Sequence, residues 1–578
     1  MTKYVVVVGG VISGVGKGVT TAALGKILKE HGYTTALIKI DPYINYDAGT
    51  LRPTEHGEVW VTDDGGEIDQ DLGTYERFMD ENFSRRNNIT TGQVYKTVID
   101  RERRGEYLGQ TVQFIPHILD EIIARIAAVA EGNDIVIIEV GGTVGDYENK
   151  PFLFAVRALE REHGHGHVAY VLVAYLPVPS HIAEMKTKPV QQSIKLLNEE
   201  GISPDFIICR SQHAIDAVRR AKIEAYSYVR ADHIIAAPDV SSIYQIPLDL
   251  EREQIGIKLL ASLGLESRKA PDWSSWQQMV TQIQKPTVCV RIAVIGKYLN
   301  TGDFSLTDSY VSIDQALLHA GALLKTGIKI TWIDAQTFED DPTKLAELEQ
   351  FDGVLVPGGF GSSGVSGKMH AIQYARVQKI PYLGICYGMQ LAVVEYARNV
   401  AGLTDAHTAE VMPDTAIPVV AILPLQKQLL ENNAYGGTMR LGSYVAHIEP
   451  GSKVYELYQR SGRLMADGTV SERHRHRYEV NPVYVPVLKK QGLIFSGIHK
   501  RIDGTELAEF IELADHPFFI ATQAHPEFTS RLGNPNPVFQ AFVTACLDRL
   551  QARLQGEAIE HTVHCNVAGF EQIRQATQ

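Results

Sequence analysis

The chain has 578 residues, 44% hydrophobic and 21% charged, with a formal net charge of −13. That length exceeds what one hydrophobic core serves and predicts two to four domains. The acidic balance excludes non-specific nucleic-acid binding as the main task, so any polyanionic ligand must be held by local clusters of Lys and Arg.

Residues 3–9, KYVVVVG, form a β-branched run. A glycine-rich turn, the helix-like TTAALGKILKEHG and the strand-like YTTALIKIDPY follow, which is the βαβ rhythm of a parallel sheet. Apolar runs at 134–142, 169–177 and 205–211 read as further buried strands, each with a helix behind it. The pattern extends over 1–265. Residues 266–289 are polar and Trp- and Pro-bearing, and predict a linker with some helix. VRIAVIGKY opens a second α/β unit over 290–552, and 553–578 reads as a peripheral tail. The expected fold class is α/β, with two doubly wound domains. The apolar start YVVVVGGVISGVG is broken by glycines and has no cleavage site, so neither a membrane helix nor a signal peptide is expected. Cys209, Cys289, Cys386, Cys546 and Cys565 are scattered without CxxC spacing. This argues for a reducing compartment and against a disulfide frame or a zinc site.

GGVISGVGKGVTT follows a strand and opens a helix. Such glycines let backbone N–H groups converge on phosphate oxygens at the positive end of a helix, with Lys17 reaching the terminal phosphates. Five residues rather than four separate Gly10 from Gly16-Lys17. Gly18 stands where a magnesium-holding Ser or Thr is usual. Carboxylates must then hold the metal: Asp69 and Asp71 share a face if their stretch is extended. Glu139 ends a buried strand, where an uncompensated charge is costly. Lys186 and Lys188, two apart before Pro189, and Lys222 are candidate phosphate partners or ordinary exposed lysines.

In the second unit LGICYGMQ sets Cys386 between Gly384 and Gly388. This is a strand-to-helix elbow in which the glycines tolerate a sharp turn and close substrate approach. His525 and Glu527 in AHPEF supply a base and its orienting carboxylate, on one side if that stretch is extended. Backbone N–H groups of Tyr387 and of Gly359 in PGGFG are the candidate oxyanion donors. Cys546 reads as a core thiol. ERHRHRY is either a basic solvated face, a targeting patch or part of a site.

KIDPYINYDAGT, HGEVWVTDDGGEIDQDLGTYERF, YLGQTVQFIPHI, EVGGTVGDYE, KTKPVQQS, DVSSIYQIPL, PGGFG, GICYGMQ, GGTMRLG, ERHRHRYEVN and HPEF occur in the order found in one family. Over about residues 3–550 the chain resembles the CTP synthases, an amidoligase domain joined to a class I glutamine amidotransferase domain. The resemblance implies that ATP phosphorylates the 4-oxygen of UTP, and that ammonia cut from glutamine displaces the phosphate to give CTP. It implies Gly14, Val15, Gly16, Lys17, Gly18, Val19, Lys39, Asp71, Pro238, Asp239 and Val240 around ATP, with Mg2+ on Asp71 and Glu139. It implies Lys186, Thr187, Lys188, Pro189, Val190, Gln191 and Lys222 around UTP, with Ser13, Asp146, Tyr147 and Glu148 in an overlapping CTP feedback site. Cys386, His525 and Glu527 become the catalytic set. Gly359, Tyr387, Gly388, Met389, Gln390, Glu410 and Arg477 hold glutamine. Pro53, His56 and Val59 wall an ammonia passage, where a dry path keeps ammonia neutral and nucleophilic. GTP is the implied activator, with Arg104 responding, and the implied assembly is a cytoplasmic homotetramer, with filaments an open question. No nucleic-acid or membrane partner is expected. Tyr387, Val190, Ser363 and Tyr147 depart from the family's usual Leu, Thr, basic and small aliphatic residues. Two other readings remain to be separated: a related amidoligase acting on a carboxylate substrate, and a nucleotide-dependent polymer without chemistry.

Overall fold

The computed structural model describes residues 1–52, 57–164, 166–182, 184–297, 300–301, 304–305, 310–359, 361–422 and 439–556. Pro53, His56 and Cys565 lie outside these residues, as does the tail beyond 556. The chain forms two compact units, one of residues 1–50 and 67–280, the other of residues 51–66 and 281–578. The segment 51–66 therefore groups with the later half of the chain, although the sequence places it inside the first α/β run.

The first unit is built on a seven-stranded, wholly parallel sheet. Its strands are β1 (Lys3–Gly9), β2 (Thr35–Asp41), β3 (Asn88–Thr90), β4 (Ile135–Val140), β5 (Val168–Tyr175), β6 (Phe206–Ser211) and β7 (Ile234–Pro238). They lie in the order β3-β2-β4-β1-β5-β6-β7. Helices cover both faces, so β1, β2 and β4 are buried almost throughout, apolar except for charges near their ends. From β1 the chain turns to one side, to β2, and later passes to the other, to β5. The crevice beyond the ends of β1 and β5 is the switch point where open α/β sheets bind ligands. Helices α1 (Lys17–Glu30), α2 (Gln70–Met79), α3 (Lys188–Glu199) and α4 (Ala217–Ser227) lead off from that edge.

The second unit has a nine-stranded mixed sheet. Its strands are β8 (Val288–Gly296), β9 (Thr326–Asp334), β10 (Gly353–Val356), β11 (Tyr382–Ile385), β12 (Arg440–Ile448), β13 (Thr469–His476), β14 (Ile494–Lys500), β15 (Glu506–Glu512) and β16 (Phe519–Thr522). The order is β9-β8-β10-β11-β16-β15-β14-β12-β13, parallel from β9 to β16 and antiparallel beyond. Because β10, β11 and β16 are parallel neighbours, their C-terminal ends share one edge. That edge carries the Gly-Gly loop, Cys386 and His525. Helix α5 (Tyr387–Asn399) leads away from β11, and α6 (Pro537–Gly556) carries Cys546 into the core at 0% exposure. The expected linker contains a helix, Ser274–Gln284.

Cys209, Cys386 and Cys546 are free buried thiols. Among the described residues no helix is long and apolar enough to cross a membrane.

Candidate functional sites

In the first unit Gly14 and Gly16 adopt φ of 70° and 82°, the left-handed region that glycine enters without steric cost. Gly16 caps α1, so the turn delivers that helix's N-terminus to the sheet edge. Val15 is buried and Ser13 is exposed. Lys17 Nζ donates to Gly142 O at 2.8 Å, and burial lowers its pKa. Asp146 faces the same turn, accepting from Thr143 N and Oγ1 at 2.8 Å each, while Tyr147 stands 77% exposed. Helix α3 closes the other side: Val11 N donates to Ser193 Oγ at 3.1 Å.

Lys39 ends up at the centre of an acidic cluster. Its Nζ pairs with Asp71, lies 2.9 Å from Glu139 Oε1 and 3.8 Å from Asp41 Oδ1. Tyr75 OH donates to Glu139. Burial opposes the charge on Lys39, but these carboxylates outweigh it and hold the ammonium well above its usual pKa. Asp71 stands against the glycine cradle, since a methyl placed on Gly18 would lie 2.0 Å from Asp71 Oδ1. The absence of a Ser or Thr at 18 thus has a steric reason: the carboxylate occupies that space. Asp69 and Asp71 do not lie along an extended segment. The chain turns into α2 at Gln70, and the Asp69 carboxylate caps it by accepting from Asp71 N at 3.1 Å. Burial, with Asp71 beside it, pushes the Asp69 pKa up to about 8.

The basic cluster is also differently arranged. Lys186 pairs with Glu184 at 2.5 Å, Thr187 is buried, and Lys188-Pro189 begins α3 rather than continuing an extended strand. Val190 and Gln191 are buried in its first turn. Lys222 is exposed on α4, whose Arg219 reaches Glu184 at 3.3 Å. At the end of β7, Asp239 pairs with Arg210 at 3.1 Å, between half-buried Pro238 and Val240. Sequence reasoning missed Arg210, whose Nε would be 3.7 Å from a methyl on Gly16. Its signal was a charge at the end of an apolar strand, the same signal that marked Glu139. Asp41 and Tyr75 were missed likewise. Arg104 caps the helix Thr91–Arg103 and pairs with Glu106 at 2.7 Å on the exposed surface.

In the second unit Cys386 has φ 52° and ψ −102°, a conformation a non-glycine residue holds only when the surroundings impose it. Its N–H donates to Thr522 O at 2.7 Å, tying the elbow to β16. The flanking glycines are there for space. A methyl on Gly388 would lie 2.1 Å from Val356 O, and one on Gly384 2.6 Å from Tyr382 OH. His525 Nδ1 lies 2.6 Å from Glu527 Oε1. This pair is made not in an extended segment but where His525 caps a short 3-10 turn, Pro526–Thr529. Gly358 sits between His525 and Cys386: a methyl on it would lie 3.1 Å from His525 Cε1 and 3.6 Å from Cys386 Cβ. Burial opposes charge on His525, but Glu527 and Cys386 prevail and raise its pKa to about 10. The imidazole is thus held in its protonated form beside the Cys386 sulfur. Gln523, not anticipated, donates Nε2 to Cys386 Sγ at 3.6 Å.

Gly359 follows Gly358 at the end of β10. Gly361 N donates to Glu410 Oε1 at 2.8 Å, and burial raises the Glu410 pKa, with Arg477 nearby as a favourable charge. Gln390 Nε2 donates to Tyr478 O at 2.7 Å, while its Oε1 is buried without a hydrogen-bond partner. Met389 is fully buried in the first turn of α5. The Tyr387 ring lies beneath two lysines, Lys297 Nζ at 5.2 Å and Lys368 Nζ at 5.8 Å. Burial lowers Lys297 to about 8; burial and then Lys297 lower Lys368 to about 7. His474 and His476 of ERHRHRY are not a solvated basic face. They are buried on Glu509 at 2.6 Å and Glu479 at 2.8 Å, with Arg440 bridging both carboxylates. Val59 is buried in the short strand Val59–Val61.

These two edges define an α/β protein with a nucleotide-type cradle and, separately, a cysteine-dependent amidotransferase unit. Residues 3–265 match the model of the CTP synthase N-terminus, and residues 305–545 that of the class I glutamine amidotransferases. The CTP synthase of Pyrococcus abyssi is 50% identical over 553 residues, 96% of this chain and 99% of its own. That of Methanocaldococcus jannaschii is 48% identical, covering 94% and 98%. The acivicin-bound glutaminase domain of Trypanosoma brucei CTPS is 37% identical over 45% of this chain and 94% of that one, with a TM-score of 0.40. The chain belongs to the CTP synthase family, the glutamine-hydrolysing, ATP-dependent carbon–nitrogen ligases.

Proposed function

We propose that this chain converts UTP, ATP and glutamine to CTP, ADP, phosphate and glutamate with the residues described above. The observation that carries the nitrogen-supplying half is the convergence of Cys386 and His525 on Gly358, with Glu527 2.6 Å behind the imidazole. Cys386 thiolate attacks the amide carbon of glutamine, and Tyr387 and Gly359 N–H groups receive the oxyanion. His525 protonates the departing nitrogen, which leaves as ammonia. Water then opens the thioester to glutamate, with His525 taking its proton. Glu410 and Arg477, opposite charges beside the elbow, suit the ammonium and carboxylate of the substrate amino acid.

In the other unit the Gly14–Val19 turn, Lys17, Lys39 and the Pro238–Val240 end of β7 hold ATP. Lys186, Thr187, Lys188, Gln191 and Lys222 hold UTP. Its 4-oxygen takes the γ-phosphoryl group, and ammonia then displaces phosphate at that carbon. Among the described residues no group of three or more His, Cys, Asp and Glu is arranged to hold a metal. Asp71 and Glu139 nonetheless converge on one cation, Lys39, and two carboxylates plus phosphate oxygens are what magnesium uses. Those two would hold Mg2+, which supplies charge neutralisation of the triphosphate when bound. Ser13, Asp146, Tyr147 and Glu148 form the CTP feedback site, Val59 lines the ammonia passage, and Arg104 takes part in activation by GTP. The reading includes a cytoplasmic homotetramer.

The strand-end triad favours this over a chemically silent polymer, and the family membership favours it over a carboxylate amidoligase. The test is conversion of UTP to CTP, followed by ultraviolet absorbance, with glutamine or ammonium chloride as donor. No CTP from either donor refutes the proposal.

A further inference from the structure

The His525 imidazole is held by more than Glu527. Phe528 stacks flat on it, with ring centroids 5.2 Å apart and planes at 14°. Behind Phe528 stands Trp60, 4.9 Å away at 55°. Trp60 is 1% exposed and comes from the segment 51–66, which groups with the second unit by its contacts. Two guanidinium groups lie over the Trp60 ring, Arg473 at 5.4 Å and Arg531 at 6.0 Å.

Both arginines are tied back to the same site. Arg473 O accepts from His525 N at 2.7 Å, and its Nε donates to Asp63 Oδ1 at 2.7 Å, three residues along from Trp60. Arg531 Nη1 donates to Phe528 O at 2.8 Å. The segment itself is closed by Thr62 N donating to Gly66 O at 3.0 Å. It is fastened to β12, where Ser443 N donates to Asp63 O at 2.9 Å, and Gly442 leaves no room for a side chain 2.6 Å from that oxygen.

We propose that Trp60 is a positioning residue for the glutaminase: by backing Phe528 it fixes the plane of the His525 ring against Cys386. Its ring meets Phe528, and its effect on the base passes through that contact. The ring pair needs this support because His525 must be aimed from both ends. The covalent tether and the Glu527 hydrogen bond leave out-of-plane tilting of the ring soft, and a flat surface on the ring face restrains it. The inference rests on His525 being the general base of the proposed function. A stretch from the early part of the chain, beside the expected wall of the ammonia passage, thereby completes the support of the base.

The experiment is steady-state glutamate release from glutamine by the full chain, with ATP, UTP and GTP present. Trp60→Ala should lower kcat by about 3- to 30-fold while leaving KM for glutamine near wild type. Trp60→Phe, which keeps a flat apolar ring, should recover most of the loss. Phe528→Leu, close in volume, should lose at least as much as Trp60→Ala, and serves if the latter does not fold. Wild-type kcat in soluble Trp60→Ala or Phe528→Leu would overturn the proposal, and so would an effect on KM alone. His525→Ala is run in parallel: if it still releases glutamate, the assignment of the base fails, which is a separate result.

Discussion

Replacing Glu527 by Gln keeps the size of the side chain and an oxygen able to accept from His525 Nδ1, but removes the charge 2.6 Å from the ring. His525 is half-buried, and its pKa stands at about 10 because Glu527 and Cys386 outweigh the opposing burial. A charge-assisted hydrogen bond contributes roughly 1.5–3 kcal/mol, and stripping one partner from a buried pair costs about 3–5 kcal/mol. At about 1.4 kcal/mol per tenfold, kcat/KM for glutamate release should fall between roughly 10- and 4,000-fold. CTP formation from ammonium chloride should not change, because that reaction uses no glutaminase residue. The pH dependence has a definite sign. A base whose pKa rises on folding adds stability in full below its unfolded value of 6.5, and loses it as pH climbs through about 10. Wild-type Tm should therefore decline across that window more steeply than the Glu527→Gln variant. Retention of kcat/KM within about threefold would refute this role for the Glu527 charge.

Lys39→Met removes the cation that pairs with Asp41, Asp71 and Glu139, so the nucleotide-free protein should lose about 3–5 kcal/mol, and added magnesium should restore part of the Tm. A calorimetric scan with and without the ion checks this, and an unchanged Tm contradicts it. Gly18→Ser restores the usual phosphate-loop residue but drives its Cβ to 2.0 Å from Asp71 Oδ1. Synthesis from ammonia should collapse while glutamate release persists, as paired assays would show. Gly388→Ala would push on Val356 O from 2.1 Å and should cost about 1–3 kcal/mol as well as most glutaminase activity. Lys368 is buried with no hydrogen-bond partner for Nζ, and its pKa is lowered to about 7. Between that value and the unfolded 10.5 the unfolded chain binds the extra proton, so stability should rise with pH over this window. Lys368→Met should raise Tm at pH 7 by at least ~2 °C and remove that pH dependence.

Much of this was legible because strands and elbows leave strong marks. β1, β2 and β4 are apolar runs covered on both faces, and Gly384-Ile385-Cys386-Tyr387-Gly388 admits few conformations. Cys386, His525 and Glu527 stand out by residue type, and the structure brings them to one strand edge, but not through the extended geometry the sequence suggests. His525 and Glu527 meet in a turn, and Asp69 and Asp71 sit at a helix start, because Pro526 and the Asp69 cap override a period-two reading. The hidden residues are those whose roles depend on distant partners. Arg210 matters because β6 ends beside the cradle, Gln523 because β16 lies next to β11, and Trp60 because segment 51–66 packs with residues hundreds of positions later. Nothing local in VWV announces an aromatic support for a histidine. The sequence leaves ERHRHRY open between a solvated face and a site, because the carboxylates that bury His474 and His476 lie on β15 and after β13.

The most direct measurement is CTP formed by wild type and by Cys386→Ala, each given glutamine or ammonium chloride. Wild type should use both donors, and the variant should make CTP from ammonium chloride at the wild-type rate while making none from glutamine. A variant that still uses glutamine, or one that loses both donors while remaining folded, would contradict it.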